Sequence, residues 1–232
     1  SEIGIRDSYN TGITGKDTLF IQKASVTVTA VNHGINGKDS LTIKDADITV
    51  TSGGDALRSA NDSDPTLGYL VITGSALKLT AGEDGIQAET TLTISGGTAT
   101  VTTAGSAGQS ISDDTSAKGL KAGTQVTVTG GTFQLNCCDD AIHSNGDVTI
   151  SGGSFTIATG DDGMHADDTL SISCGTIDIS RSYEGLECAK VLISGGKISS
   201  VASDDGSNAA GGSDQSGFGG FGFAPDAFGG SG

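Results

Sequence analysis

Asp139-Asp140-Ala141-Ile142-His143, Asp161-Asp162-Gly163-Met164-His165 and Asp204-Asp205-Gly206-Ser207-Asn208 are copies of one short pattern, and a variant, Tyr183-Glu184-Gly185-Leu186-Glu187, lies between the last two. The small residue of the pattern falls at Ala141, Gly163, Gly185 and Gly206, in steps of 22, 22 and 21 residues. Repetition at this period means a solenoid, because one such unit cannot bury its apolar face without stacked neighbours. Stacking brings equal positions of successive units into columns. The acidic pairs then form a ladder of carboxylates about 4.8 Å apart.

The small residue recurs upstream at Gly12, Gly34, Ala56, Gly85 and Gly119, with steps of 22, 22, 29 and 34 residues and then 22 to Ala141. The two long steps hold insertions. One, near residues 60–68, includes Asn61-Asp62-Ser63-Asp64-Pro65 and is rich in turn formers. The other, near residues 104–116, is polar and serine-rich. The spacing predicts about nine coils of about 22 residues in a rod roughly 40 Å long. Residues 1–207 read as one such domain and residues 208–232 as a Gly/Ser/Phe-rich tail. The tail reads either as a flexible linker or as a cover for the open end of the rod by Phe218, Phe221, Phe223 and Phe228.

Three short strands fit in each coil. The first is the motif itself, with Ile142, Met164 and Leu186 inward and His143, His165 and Glu187 outward. The second is an alternating triplet such as Leu41-Thr42-Ile43 or Val148-Thr149-Ile150. The third follows a glycine corner, as in Ser154-Phe155-Thr156-Ile157. Alternation of β-branched and polar residues marks strands buried on one face, and no stretch carries a helical apolar stripe. The Leu-x-x-Leu-x-Leu signature of a leucine-rich repeat is absent, and a β-sandwich does not need columnar register. The fold class is therefore all-β, a single-stranded parallel β-helix.

With 38 Gly, no Trp and 4% aromatic residues, the chain is poor in large side chains, which suits a narrow core of stacked Ile, Val, Leu and Ala. A net charge of −16 argues against nucleic acid and anionic membrane as partners. No apolar run reaches membrane-spanning length. The chain shows no signal peptide, and its start at Ser1 reads as that of a mature or trimmed chain. Cys137, Cys138, Cys174 and Cys188 share no repeat offset and no Cys-x-x-Cys spacing. They read as small, half-buried thiols, with a vicinal or cross-coil disulfide left open.

The residue before the small one runs Thr11, His33, Asp55, Asp84, Lys118, Asp140, Asp162, Glu184 and Asp205. Stacked like charges repel unless a cation lies between them or their pKa values rise. Anionic oxygen-rich sites suit Ca²⁺, which takes about six to eight oxygens. The expected ligands are Asp139, Asp140, Asp161 and Asp162, with Asp84 in the same column and Glu184, Asp204 and Asp205 continuing it. The alternative is a solvated acidic face that maintains solubility. Asp17 and Asp39, preceded by Lys16 and Lys38, are expected to ion-pair internally.

The segments DDAIHSNGDVTISGGSFTIATG, DDGMHADDTLSISCGTIDIS, SYEGLECAKVLISGGKISSVAS and DDGSNAAGG resemble a family of secreted carbohydrate-binding proteins. The resemblance implies a right-handed parallel β-helix similar to pectate lyases, with bound calcium, that binds polygalacturonate and cellulose without cleaving them. It also implies a secreted or cell-surface location. Ala141 replaces the usual Gly, and Ser207 stands where an apolar residue is expected, which implies a loosely packed last coil.

Protein and polygalacturonate are both anionic, so calcium would bridge their carboxylates. Lys118, Lys121, Arg58 and Arg181 would assist as cations, His143 and His165 as donors to hydroxyls, and Tyr183 as a stacking platform. The enzyme alternative is a calcium-dependent pectate lyase with Lys118, Lys121 or Arg181 as base. A structural alternative, ice binding through Thr27/Thr29, Thr49/Thr51, Thr100/Thr102 and Thr127/Thr129, suffers from interruptions at Lys78, Gln134 and Asp178. A monomer is expected.

Overall fold

The computed structural model describes residues 1–112 and 115–209, and over them the chain is a parallel β-solenoid of about nine turns of about 22 residues, with no helix. Every strand pairing is parallel and joins equivalent strands of neighbouring coils. The rod has three sheets. The first stacks Ile13–Gly15, Ile35–Gly37, Leu57–Ser59, Ile86–Ala88, Leu120–Ala122, Ile142–Ser144 and the first residues of Met164–Ile172 and Leu186–Ile193. A bridge from Glu187 to Asn208 begins one more coil. The second sheet carries the Leu19, Leu41, Leu70, Leu92, Val126, Val148, Leu170 and Val191 column. The third carries Ile3, Val26, Ile48, Leu77, Ala99, Phe133, Phe155, Ile177 and Ile198.

These inward columns are the core. Ile35, Leu57, Ile86, Leu120, Ile142 and Met164 are wholly buried, as the alternating pattern predicts. The two large aromatic residues of the interior, Phe133 and Phe155, lie in adjacent coils and stack with ring centroids 4.6 Å apart. The ends are open by comparison: Ile3 at one end and Leu192, Ile193 and Val201 at the other are exposed. Asp204 to Ser207 are also exposed, in keeping with a loosely packed last coil.

Two glycine columns set the corners. A side chain at Gly163 would place its Cβ within 2.5 Å of both Ile179 Cδ1 and the Gly185 carbonyl, so the position must stay small where the third strand closes onto the next coil. At the opposite corner Gly97, Gly131, Gly153, Gly175 and Gly196 all have positive φ, which only glycine adopts without strain.

Some expectations change. Lys16–Asp17 and Lys38–Asp39 are not ion pairs among the described residues; Asp39 Oδ1 instead accepts from Asn61 Nδ2 (2.6 Å). All four cysteines are free, with Cys174 alone exposed. Thr127 pairs with Thr93 in the second sheet, apart from the third-sheet column of Thr27, Thr49, Lys78, Thr100, Gln134, Thr156, Asp178 and Ser199, which Lys78, Gln134 and Asp178 interrupt; beside it Thr29, Thr51, Thr80 and Thr102 run unbroken until Asn136. No helix of the described residues is long and apolar enough to cross a membrane. The four phenylalanines of the tail lie outside the described residues.

Candidate functional site

The acidic column is first a hydrogen-bond ladder. At the corner that opens each first-sheet strand, one oxygen of the acidic side chain accepts the backbone amide of the equivalent residue in the next coil. Asp84 N donates to Asp55 Oδ1 (3.1 Å), Lys118 N to Asp84 Oδ1 (2.8 Å), Asp162 N to Asp140 Oδ1 (3.0 Å) and Glu184 N to Asp162 Oδ1 (3.1 Å). A corner amide has no strand partner, and a buried unpaired N–H costs about 1–3 kcal/mol. This satisfies the amide and accounts for the burial of Asp55, Asp84, Asp140 and Asp162, all at least 95% buried; Glu184, equally buried, gives its amide to the ladder but accepts no backbone amide through its side chain.

The second oxygen meets a base that the protein itself supplies. The row two residues after the small one carries Arg58, Gln87, Lys121, His143, His165 and Glu187 in register. Arg58 Nε lies 3.6 Å from Asp55 Oδ2, Lys121 Nζ 3.2 Å from Asp84 Oδ2, and His143 Nδ1 2.8 Å from Asp140 Oδ2. Lys118 Nζ bridges Asp139 Oδ1 (2.8 Å) and Asp140 Oδ2 (2.7 Å). Despite burial, Lys118 is held above its usual range by Asp140 and Asp139, and Asp140 is held well below its own by Lys118 and His143. From Asp55 to Asp140 the ladder is therefore largely neutralised from within.

Compensation fails toward the C-terminus. Asp161 is pushed up to about 7 by burial and by the charges of Asp140 and Asp139, and Asp162 is raised as well, chiefly by burial. Asp55 is also raised to about 7, by burial and the Asp84 charge. His165 is raised by its carboxylate neighbours, against the effect of its burial. For these groups the folded state keeps protons that the unfolded state releases. Each stabilises at low pH and loses that contribution as pH rises through the folded pKa. His33, lowered by burial, acts the other way. The melting temperature in chelator should therefore be higher at pH 5 than at pH 8, and Asp161→Asn should flatten the difference. Calorimetry across that range checks this; a melting temperature that rises with pH would contradict it.

Beside Asp139 and Asp161 lies a cavity of about 200 Å³. The insertion after Thr103 arches over three consecutive coils and forms its roof, with Gln109, Ser110, Ser112 and Thr115 facing Cys138, Asp139, Asp161 and Arg181. The roof is tied down by Ala107 N to Asn136 Oδ1 (3.0 Å) and Cys138 Sγ to the Gln109 carbonyl (3.1 Å). Asp113 and Asp114 lie outside the described residues. Hydroxyls, an amide, carboxylates and a guanidinium around a small cavity form a lining suited to a hydroxylated ligand.

The expected residues thus divide. The carboxylate oxygens of Asp139, Asp140 and Asp161 fall within 4.8 Å of one another, and those of Asp162 and Glu187 cluster with His165. Asp84 is occupied by Lys121 and Ser116, and Asp204 and Asp205 are exposed and join neither group. His143 and His165 stack at 4.8 Å, but both nitrogens of each ring are engaged, Nε2 with Asn145 and Asp167 respectively. They offer no spare donor to a hydroxyl. Lys118, Lys121 and Arg58 are held by acidic partners, whereas Arg181 lines the cavity; Tyr183 is 39% exposed. Sequence reasoning missed Glu187 as a cluster member, although its offset matches that of both histidines. It also missed the cavity, whose one signal was an insertion one coil before the doubled aspartates.

No curated protein and no solved structure matches the chain significantly. Residues 3–163 match the family model described as carbohydrate-binding domain-containing protein. That span covers more than half of the sequence and ends between the paired aspartates and His165, and the chain belongs to this carbohydrate-binding domain family.

Proposed function

We propose that the chain binds polysaccharide at the cavity beneath the 104–116 insertion, and that its ligand is an acidic, uronate-bearing chain of the pectin type, with cellulose as a second ligand. Family membership supports a saccharide partner. The observation that carries the location is the roofed cavity with Asp139, Asp161 and Arg181 on its floor. Carboxylates accept hydrogen bonds from neighbouring sugar hydroxyls, and Arg181 suits bidentate contact with a uronate.

Calcium fits this site in part. Asp139 and Asp161 give an oxygen-only pair beside the cavity, which suits a hard cation, but Asp139 is already bonded to Lys118, as Asp140 is to Lys118 and His143. When bound, Ca²⁺ would supply the positive charge that lets an anionic protein hold an anionic chain. Binding without cleavage is the favoured reading, because Lys118 is held protonated and Lys121 is paired with Asp84, which leaves neither as a ready base.

The test is a pull-down against polygalacturonate, cellulose and neutral glycans, with and without chelator, while absorbance reports any unsaturated product. Retention on polygalacturonate should be lost in chelator, and Asp161→Asn or Arg181→Ala should weaken it by about tenfold or more. Retention that ignores both chelator and substitutions would remove this reading, and growth of absorbance would replace it with a lyase.

A further inference from the structure

One coil of the ladder carries two acids and no base. In register, the residue before the small one and the residue two after it read Asp55/Arg58, Asp84/Gln87, Lys118/Lys121, Asp140/His143, Asp162/His165 and Glu184/Glu187. The doubly cationic coil, Lys118/Lys121, has carboxylates on both sides and bonds to both. The doubly anionic coil, Glu184/Glu187, has only an imidazole on one side and the Asn208 amide, given to Glu184 Oε1 (3.0 Å), on the other. Both glutamates are more than 90% buried.

Two further observations point to a missing cation. Glu184 Oε2 is buried and finds no hydrogen-bond partner among the described residues. His165 Nδ1 faces two carboxylates at once, Glu187 Oε2 at 2.9 Å and Asp162 Oδ2 at 3.3 Å, but one nitrogen can donate one proton. Its Nε2 lies 3.2 Å from Asp167 Oδ1. On binding a metal His165 would release its Nδ1 proton, and that outer carboxylate would hold the remaining proton on Nε2, the arrangement commonly found behind metal-bound histidines.

We infer that Asp162, His165 and Glu187, with Glu184 adjoining, form a site for a divalent transition metal of the Zn²⁺ type. An imidazole among carboxylates favours such an ion over Ca²⁺, which prefers oxygen alone. The oxygen-only pair Asp139/Asp161 is not part of this donor set, so the site does not rest on glycan binding. Its donors, Asp162 apart, follow the segment shared with the family model.

The probe is Zn²⁺ added to the full chain stripped with chelator and returned to chelator-free buffer at neutral pH, read by calorimetric titration and by melting. Co²⁺ serves as a spectroscopic substitute. The expected result is saturable Zn²⁺ binding, a rise in melting temperature of about 5 °C at a hundredfold excess over the dissociation constant, and a Co²⁺ visible band. Glu187→Gln should still melt cooperatively without metal but should lose the Zn²⁺ shift. His165→Gln should lose the Co²⁺ band, while Asp161→Asn should keep both responses. Absence of a Zn²⁺ response in the wild type, a response that survives Glu187→Gln and His165→Gln, or an equal response to Ca²⁺ would each overturn the assignment. The Asp161→Asn control separates such a failure from failure of the glycan site.

Discussion

Lys118→Met is expected to destabilise the folded chain by about 3–5 kcal/mol near neutral pH, because it leaves buried carboxylates without their cation. Lys118 Nζ is the common partner of Asp139 and Asp140, and the three side chains are only 15%, 16% and 4% exposed. Methionine approximates the shape of lysine but carries no charge. The orphaned carboxylates can escape by taking up protons, so the loss should be larger at pH 8 than at pH 5. Combining Lys118→Met with Asp139→Asn and Asp140→Asn should recover much of it. The asparagine at position 140 can still accept the Asp162 amide that Asp140 Oδ1 now receives. Urea denaturation of the single and triple variants at both pH values measures this. A pH-independent loss, or one that the asparagines do not restore, would mean that Lys118 acts through packing of its stem.

Phe155→Ala should cost a similar amount, about 3–5 kcal/mol, by a different route. Phe155 is 1% exposed and stacks on Phe133 with an interplanar angle of 8°. In the same column Ile177 follows, so the vacated space would be lined by apolar side chains and would stay dry. Phe155→Leu, which keeps more of the volume, should cost less. In a solenoid each coil touches only its neighbours, so the effect should be local. Hydrogen exchange should therefore accelerate most in Gln125–Cys137 and Thr176–Ser182, which flank the strand. Uniform acceleration along the rod would argue that the coils unfold as one unit.

Much of the architecture was legible because a 22-residue period leaves few options. Gly163 and Gly185 recur at the corner where a Cβ would strike the next coil, and Ile142, Met164 and Leu186 recur at the one inward position beside it. The insertions at 60–68 and 104–116 showed as long steps between small residues. What the column of aspartates does was less legible. Sequence shows that carboxylates stack, but not that one oxygen of each is committed to a backbone amide. Nor does it show that Lys118, one coil away, reaches back across the step.

By itself the sequence determined the solenoid, its approximate coil number and its inward columns, since each follows from periodicity acting on a chain with parallel register. Only the tertiary structure decided which charges are answered and which are not. Pairing of a base with an acid depends on side-chain reach between coils and on burial, and neither is encoded in the period. It likewise decided that the second insertion folds over Asp139, Asp161 and Arg181, because a loop without a repeat has no column to fix it and is held by contacts such as those with Asn136, Cys138 and Asp84.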